Sequence, residues 1–465
     1  MLSFGTNGIR GLLDRLTPEF ASRMAASFGT WIKNNNASGN PARSGTEAGC
    51  NILLARDTRT SGKMLEGAVM AGLLSSGCSV TKLGICPSPT VEFSVLHQKA
   101  AGAITITASH NPPEWNALKF VDAQSIAISR ERGAEIEKIF ESNSMKRAAW
   151  DELKPVVKYD AACSDHMAAI LGYIDASAFK KKKPRLVLDC ANGTTGRIAP
   201  ALFKSLGCSV TTLNAQEDGH FPGRQSEPTE ANIQDLIASV KELKADMGIA
   251  WDGDGDRVVF VDERGKFVIG DKIFALCEKM ALAKAKKGSA IVTTVSTSNA
   301  IRDLAEARGC KVSYCKVGAP YISEEMKKLN AVMGGEEVGG VIWPSISYGK
   351  DGLMTAAKIA EAACSRQLSE LVAAIPAYFN SKTKVPCAPA QKKPAMEKIA
   401  KAMGHKGTLT TIDGIRVDFN RDSWAIVRAS GTENYLRIFA EAKTPEKAQE
   451  LMQQYEKIAK AAASG

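Results

Sequence analysis

Short apolar runs with alternating character are separated along this chain by longer stretches in which apolar residues recur every three or four positions. "NILLA" (51–55) predicts a strand, "GKMLEGAVMAGLLSSG" (62–77) a helix carrying Met64, Leu65, Ala68, Val69 and Leu73 on one face, and "SVTKLGI" (79–85) a second strand. Strand, helix and strand in close succession form a β-α-β unit, whose strands run parallel in one sheet with a right-handed crossover. The series restarts twice. "RLVLDCANG" (185–193) leads through helices near 198–206 and 231–243 and the strands "SVTTL" and "DMGIAW". "SAIVTTV" (289–295) leads through helices near 297–308 and 320–329 and the strand-like "KVSYCKVG". Three α/β domains of similar topology are therefore predicted, although no residue-by-residue repeat is visible.

After about residue 370 the texture changes. "GTLTTIDGIRVDF" holds the hairpin dipeptide Asp413-Gly414, "WAIVRA" and "YLRIFAEA" read as strands, and 446–462 as a helix, an order that predicts a smaller α+β domain. The expected boundaries are 1–150, 151–252, 253–370 and 371–465. Residues 34–49, rich in Asn, Gly and Ser, read as a surface loop.

A length of 465 residues agrees with three or four domains. The opening "MLSFGTNGIR" lacks a secretion signal and no apolar run approaches membrane-spanning length, so a cytoplasmic protein without a membrane partner is expected. The eleven cysteines are scattered, odd in number and without Cys-x-x-Cys, which argues for reduced, mostly buried thiols and against a disulfide frame or zinc site. A net charge of +10 fits either a nucleic-acid surface or an enzyme of phosphorylated substrates. Nucleic-acid binding is disfavoured: the basic residues are dispersed, only 6% of residues are aromatic, and the one dense run, Lys180–Lys183, ends at Pro184 before a strand.

Candidate chemistry lies in four stretches. "AITITA" (103–108) is a buried strand that delivers Ser109 to its end, where Asn111-Pro112-Pro113 forces a turn. An exposed, rigidly held hydroxyl suits a nucleophile, and a serine in an ordinary turn is the plain alternative. "WDGDGDR" puts Asp252, Asp254 and Asp256 on alternate positions; three such carboxylates repel one another, so a bound divalent cation is the natural reason for them. A calcium helix-loop-helix fails because Arg257 stands where that loop needs glycine and the flanks are strands. "RASGTEN" (428–434) offers an arginine fork, hydroxyls and glycine-exposed N–H groups, the donor set for a phosphate. "GGEEVGG" (334–340) adds Glu336 and Glu337, carboxylates suited to sugar hydroxyls. A serine hydrolase is disfavoured because neighbouring side chains on an extended backbone diverge, leaving His110 badly placed as base for Ser109, and because Gly-x-Ser-x-Gly is absent. No P-loop signature is present either.

Together these stretches, in this order, resemble the α-D-phosphohexomutase family over essentially the whole chain: "TASHNPPEWNALKF" its phosphoserine loop, "DGDGDR" its magnesium loop, "GEEVGG" its sugar loop and "RASGTEN" its phosphate loop. "FGTNGIRG" is similar to the N-terminal signature of phosphoglucosamine mutases and archaeal-type phosphomannomutase/phosphoglucomutase proteins. The resemblance implies four domains around a central cleft, with three mixed α/β domains followed by the α+β domain. It implies that hexose 6-phosphate and hexose 1-phosphate are interconverted through a phosphoserine at Ser109 and a bisphosphorylated sugar, with glucosamine phosphate slightly favoured and a hexose bisphosphate as activator. One Mg²⁺ per subunit would be held by Asp252, Asp254, Asp256 and the phosphoserine at 109. Arg10, Lys119 and Arg257 match basic residues near that phosphate, Lys119 for proton transfers and His110 as support. Arg428, Ser430, Gly431 and Thr432 would clamp the other phosphate, while Glu336 and Glu337 would meet the sugar. The partners implied are small sugar phosphates, and a homo-oligomer is left open. Three positions depart from the pattern: Val338, without hydroxyl or amide, Gly340 and Asn434.

Overall fold

The structure is a computed structural model that describes residues 2–37, 49–403, 407–430 and 434–463. Most of the loop expected at 34–49 lies outside the described residues. The chain forms two compact units, one within 1–273 and 338–372, the other within 274–337 and 373–465.

The first unit contains two sheets. Six strands lie in the spatial order Ile9–Leu12, Trp115–Asp122, Gly102–Ile106, Asn51–Arg56, Ser79–Ile85 and Val156–Lys158. Asn51–Arg56 runs parallel to both of its neighbours, whereas Trp115–Asp122 is antiparallel to both of its own. Both faces of this sheet are covered. Leu54 and Ile104 join a core with Phe28, Leu65 and Phe120, and their neighbours Leu53 and Ala103 join a second core with Val91 and Val95. Burial on both faces explains why these strands read as continuous apolar runs. The helix Gly62–Ser75 buries Leu65, Val69, Gly72 and Leu73, but Met64 is 46% exposed, contrary to the expected face. The contact is centred on Gly72, whose missing side chain admits the backbone of Ser22 from the helix Pro18–Ala37.

The second sheet has the order Phe267–Val268, Val258–Val261, Met247–Trp251, Arg185–Asp189 and Ser209–Leu213. Met247–Trp251 and Val258–Val261 pair antiparallel, so the acidic loop is a hairpin within one sheet. The boundary expected at residue 252 therefore cuts through a sheet that continues to Val268.

In the second unit, Ala290–Thr294 lies between the parallel strands Lys311–Cys315 and Met333–Glu336. The first strand of each predicted series, at 51, 185 and 290, thus lies inside its sheet between two parallel neighbours. That shared core makes three similar α/β domains. The fourth is an antiparallel sheet in the order Phe379–Pro386, Tyr435–Ala442, Ser423–Ala429, Ile415–Asn420 and Thr408–Thr410. The helices Pro389–Met403 and Pro445–Ala463 contribute Ile399 and Tyr455 to its core, and Gly414 turns the predicted hairpin at φ 87°.

One expectation about cysteines fails. Cys50 and Cys78 form a disulfide with Cα atoms 4.8 Å apart, while the other nine cysteines are free. The parallel register pairs Asn51 with Ser79, which sets the residues just before them side by side. A separation of 28 residues hides that proximity in the sequence. No described helix is long and apolar enough to cross a membrane.

Candidate active site

Ser109 stands in the first unit, one short turn beyond the end of the strand Gly102–Ile106, with φ 52°. A left-handed backbone costs a residue with a Cβ about 1 to 2 kcal/mol, so surrounding contacts must impose it. They are present. The Ser109 amide donates to Thr107 Oγ1 at 2.9 Å, and its carbonyl accepts from Arg59 Nη2 at 3.0 Å and Ser226 Oγ at 2.9 Å. The hydroxyl, thus aimed, donates to Asp252 Oδ2 at 2.5 Å.

The hairpin between Trp251 and Val258 supplies the carboxylates. Oxygens of Asp252, Asp254 and Asp256 converge to within 4.8 Å of one another, and all three residues are buried. Gly255, at φ 74°, lets the loop coil, and its carbonyl accepts from the Gly352 amide at 3.2 Å. The Ser226 hydroxyl accepts from the Gly253 amide at 2.8 Å while donating to Ser109, tying the serine turn to the acidic loop through one atom.

Cations surround this group. Lys119 Nζ lies 2.6 Å from Asp254 and 3.4 Å from Asp256, and Lys350 Nζ lies 3.4 Å from Asp256. Arg257 is 3.9 Å from Asp256, and Arg10 donates to Asn111 Oδ1 at 2.5 Å. Burial works against the Lys119 charge, but Asp254 and Asp256 outweigh it and hold the ammonium above its usual range. Burial followed by Asp254 and Asp256 pushes Asp252 up to about 8. Burial also opposes the charge on Asp256, yet Lys350, Lys119 and Arg257 hold it below the usual carboxylate range. Arg257, then burial, then Arg10 keep His110 well below its usual value, so its imidazole is neutral.

Asp254 Oδ1 and Asp256 Oδ1 are buried without a hydrogen-bond partner among the described residues. Buried carboxylate oxygens are rarely left so, and a hard divalent cation with oxygen ligands fits these residues. The triad can hold a metal ion.

Two features were not foreseen. Because Ser109 is left-handed rather than extended, its Oγ comes within 3.4 Å of His110 Nδ1, so the geometric objection to a serine-histidine pair does not hold. The hydroxyl nevertheless points its proton at Asp252, in a setting of acidic and basic groups foreign to an acyl-transfer site. The sequence reading also passed over Asp57, Arg59, Ser88, Ser226 and Lys350. Ser88 donates to Asp254 Oδ2 at 2.6 Å, and Asp57 accepts from Thr107 at 2.7 Å. Asp57 and Arg59 follow the strand parallel to the one preceding Ser109, so both loops emerge at the same sheet edge, a signal present in the strand pattern.

The remaining candidates belong to the second unit. Glu336 is buried at the end of Met333–Glu336, and Glu337 accepts from Ser296 Oγ at 3.1 Å. Arg428 Nη2 contacts Asp413 Oδ2 at 2.5 Å, while its buried Nε has no hydrogen-bond partner among the described residues. The Ser430 carbonyl accepts from Lys392 Nζ at 2.6 Å. Gly431 and Thr432 lie outside the described residues.

A serine hydroxyl aimed into an acidic, metal-competent hairpin ringed by lysine and arginine, on three repeated α/β cores and an α+β domain, defines a phosphoryl-transfer enzyme. Comparison with known proteins names its kind. The chain matches the phosphoglucomutase/phosphomannomutase alpha/beta/alpha domains I, II and III over residues 1–147, 164–265 and 269–379, and the C-terminal domain over 383–458. It is 42% identical over 454 residues to a phosphoglucomutase/phosphomannomutase of Thermococcus kodakarensis, covering 97% of this chain and 96% of that protein. It is 37% identical over 463 residues to a probable phosphoglucosamine mutase of Methanosarcina acetivorans, covering 99% and 100%. A crystal structure of a phosphoglucomutase/phosphomannomutase family protein from Burkholderia thailandensis superposes with a TM-score of 0.87 at 26% identity, covering 100% of this chain and 99% of that one. The chain belongs to the phosphoglucomutase/phosphomannomutase family, the α-D-phosphohexomutases, and is a mutase of intramolecular phosphoryl transfer.

Proposed function

We propose that the phosphoryl group travels through Ser109 and that the enzyme interconverts hexose 6-phosphate and hexose 1-phosphate, with glucosamine phosphate slightly favoured. The Ser109 hydroxyl aimed at Asp252 from a strained, multiply tied backbone carries this reading. In the first half-reaction a free sugar hydroxyl attacks the phosphorus on Ser109, and the bond from phosphorus to the serine oxygen breaks. Lys119, held charged by Asp254 and Asp256, gives its proton to that departing oxygen, and the proton leaving the sugar hydroxyl replaces it. The lysine is unchanged over the step. The bisphosphorylated sugar then turns around, and Ser109 takes back its other phosphoryl group by the reverse exchange. Free hexose bisphosphate would recharge a dephosphorylated serine, and so act as activator.

Asp252, Asp254 and Asp256, with an oxygen of the phosphorylated Ser109, would hold Mg²⁺, which when bound offsets negative charge on the phosphoryl oxygens. Arg10 and Arg257 face the same charge, and neutral His110 supports the turn with an uncharged ring. Arg428, Ser430, Gly431 and Thr432 would clamp the phosphate that is not reacting; the orphaned Nε of Arg428 supports that assignment. Glu336 and Glu337 would meet the ring hydroxyls.

A second reading, broad phosphomannomutase/phosphoglucomutase activity, is favoured by Val338, whose isopropyl group can neither donate to nor accept from a ring hydroxyl. The relative from Thermococcus kodakarensis carries that broader name. Catalytic efficiencies for the 1-phosphates of glucosamine, glucose and mannose, measured side by side, separate the two. A clear lead for glucosamine supports the first reading, and near-equal values the second.

A further inference from the structure

Arg59 is 1% exposed, yet among the described residues only one bond of its guanidinium goes to a carboxylate: Nε donates to Asp57 Oδ2 at 3.0 Å. Its other donors all go to backbone carbonyls of the segment that carries the nucleophile. Nη1 donates to Trp115 at 2.9 Å and to Pro112. Nη2 donates to Asn111 at 2.6 Å and Ser109 at 3.0 Å. The guanidinium carbon also lies over the Phe221 ring, 5.0 Å from its centre. Asp57 completes a loop of contacts. It accepts from the Arg59 amide at 2.9 Å and from Thr107 Oγ1 at 2.7 Å, and Thr107 in turn accepts from the Ser109 amide.

The geometry has one evident consequence. Four carbonyls drawn to a single fork turn the backbone of 109–115 inward, so the Ser109 side chain must leave on the opposite side, toward Asp252. We propose that Arg59 is a positioning residue for phosphoryl transfer: it does not touch the reacting atoms but imposes the left-handed conformation that aims Ser109 into the carboxylate cluster. This rests on the reading that Ser109 carries the phosphoryl group. Only a planar, multi-donor cation can gather carbonyls arranged this way. Lysine, a point charge with three donors on a flexible stem, keeps the charge and loses the fork.

The test uses the full-length enzyme with Arg59→Lys, Thr107→Val and Ser109→Ala, each with its melting temperature measured. Misplacing a reacting group by an ångström can lower the rate about a hundredfold, so Arg59→Lys is expected to reduce kcat by about that factor. The KM for glucose 1-phosphate and the Mg²⁺ affinity should stay within about threefold, because neither ligand is contacted. Phosphorylation of the enzyme by glucose 1,6-bisphosphate should slow in parallel. Thr107→Val, which removes both the bond from the Ser109 amide and the bond to Asp57, should lower kcat about tenfold by partial loss of the same alignment. An Arg59→Lys enzyme with parental kcat overturns the proposal, as does a deficit that vanishes on cooling well below its melting temperature. Ser109→Ala separates the two levels. If it is inactive while Arg59→Lys is normal, only the positioning role falls; if it turns over, the phosphoserine reading falls first.

Discussion

The serine turn and the Arg428 loop both connect to strand ends and both are assigned to phosphate, but they are built to opposite plans. Ser109 is 3% exposed and fixed by Thr107, Arg59, Ser226 and Asp252, contacts that arrive from three other stretches of chain. Among the described residues Arg428 is ion-paired with Asp413, from a hairpin turn of its own sheet, and a backbone bond joins Ser430 to Tyr435. The difference follows from the work each must do. Charge that develops in a transition state is stabilised best by groups already fixed before it appears. A phosphate that must be held in two orientations of the sugar needs charge and adaptable donors more than fixity. Rate is therefore expected to depend on the first region, and substrate affinity on the second.

Asp254→Asn strikes the buried region hardest. It removes a carboxylate that meets Lys119 and Ser88 and offers an orphaned oxygen to a cation, so kcat should fall about a hundredfold or more, with weakened Mg²⁺ affinity. Chelation should stop turnover, and Mg²⁺ or Mn²⁺ should restore it. Parental activity after chelation would make the triad structural. Arg428→Ala probes the other plan. Loss of a charge-assisted fork worth about 1.5 to 3 kcal/mol should raise KM roughly ten- to a hundredfold, with a smaller effect on phosphorylation of Ser109. If kcat alone changed, the contrast between the regions would break.

Val338→Ser should sharpen the choice among glucosamine, glucose and mannose phosphates by up to about 1 kcal/mol, a factor of roughly five in relative catalytic efficiency. Unchanged ratios would remove residue 338 from substrate choice. The smallest effect concerns the support of the buried cluster. Burial raises the carboxyl of Glu92 well above its usual range despite Lys119 and Lys350, so it stays protonated in the folded chain. In the unfolded chain it ionises once the pH exceeds the ordinary glutamate range, and each further rise in pH then favours unfolding until the raised folded value is reached. Glu92→Gln removes that contribution. The drop in melting temperature from about pH 5 to about pH 8 should be shallower in the variant than in the parent, and equal slopes would contradict it.

The two plans also differed in how much of them could be read in advance. Ser109 and the three aspartates were legible because local pattern is enough: a β-branched run ending at Asn-Pro-Pro, and alternating Asp and Gly between strands. The three repeated cores were legible for the same reason, since each opens on an apolar strand followed by an amphipathic helix. What local pattern cannot show is register. Lys350 meets Asp256, and Ser226 meets both Ser109 and Gly253, across separations only the folded sheets define. Cys50 and Cys78 became partners through the pairing of parallel strands. Nor does local pattern show the left-handed turn at Ser109, which brings its hydroxyl within 3.4 Å of His110 Nδ1 where an extended backbone would part them.

The central claim, that Ser109 carries the phosphoryl group, is tested most directly by mapping phosphate on the purified enzyme before and after one turnover. Peptide mass spectrometry of enzyme treated with glucose 1,6-bisphosphate is expected to find a single phosphate on the segment containing Ser109. Excess glucose 1-phosphate should then strip it in step with formation of the bisphosphate. An enzyme that turns over with Ser109 unmodified throughout, or with the phosphate on another residue, would contradict the account.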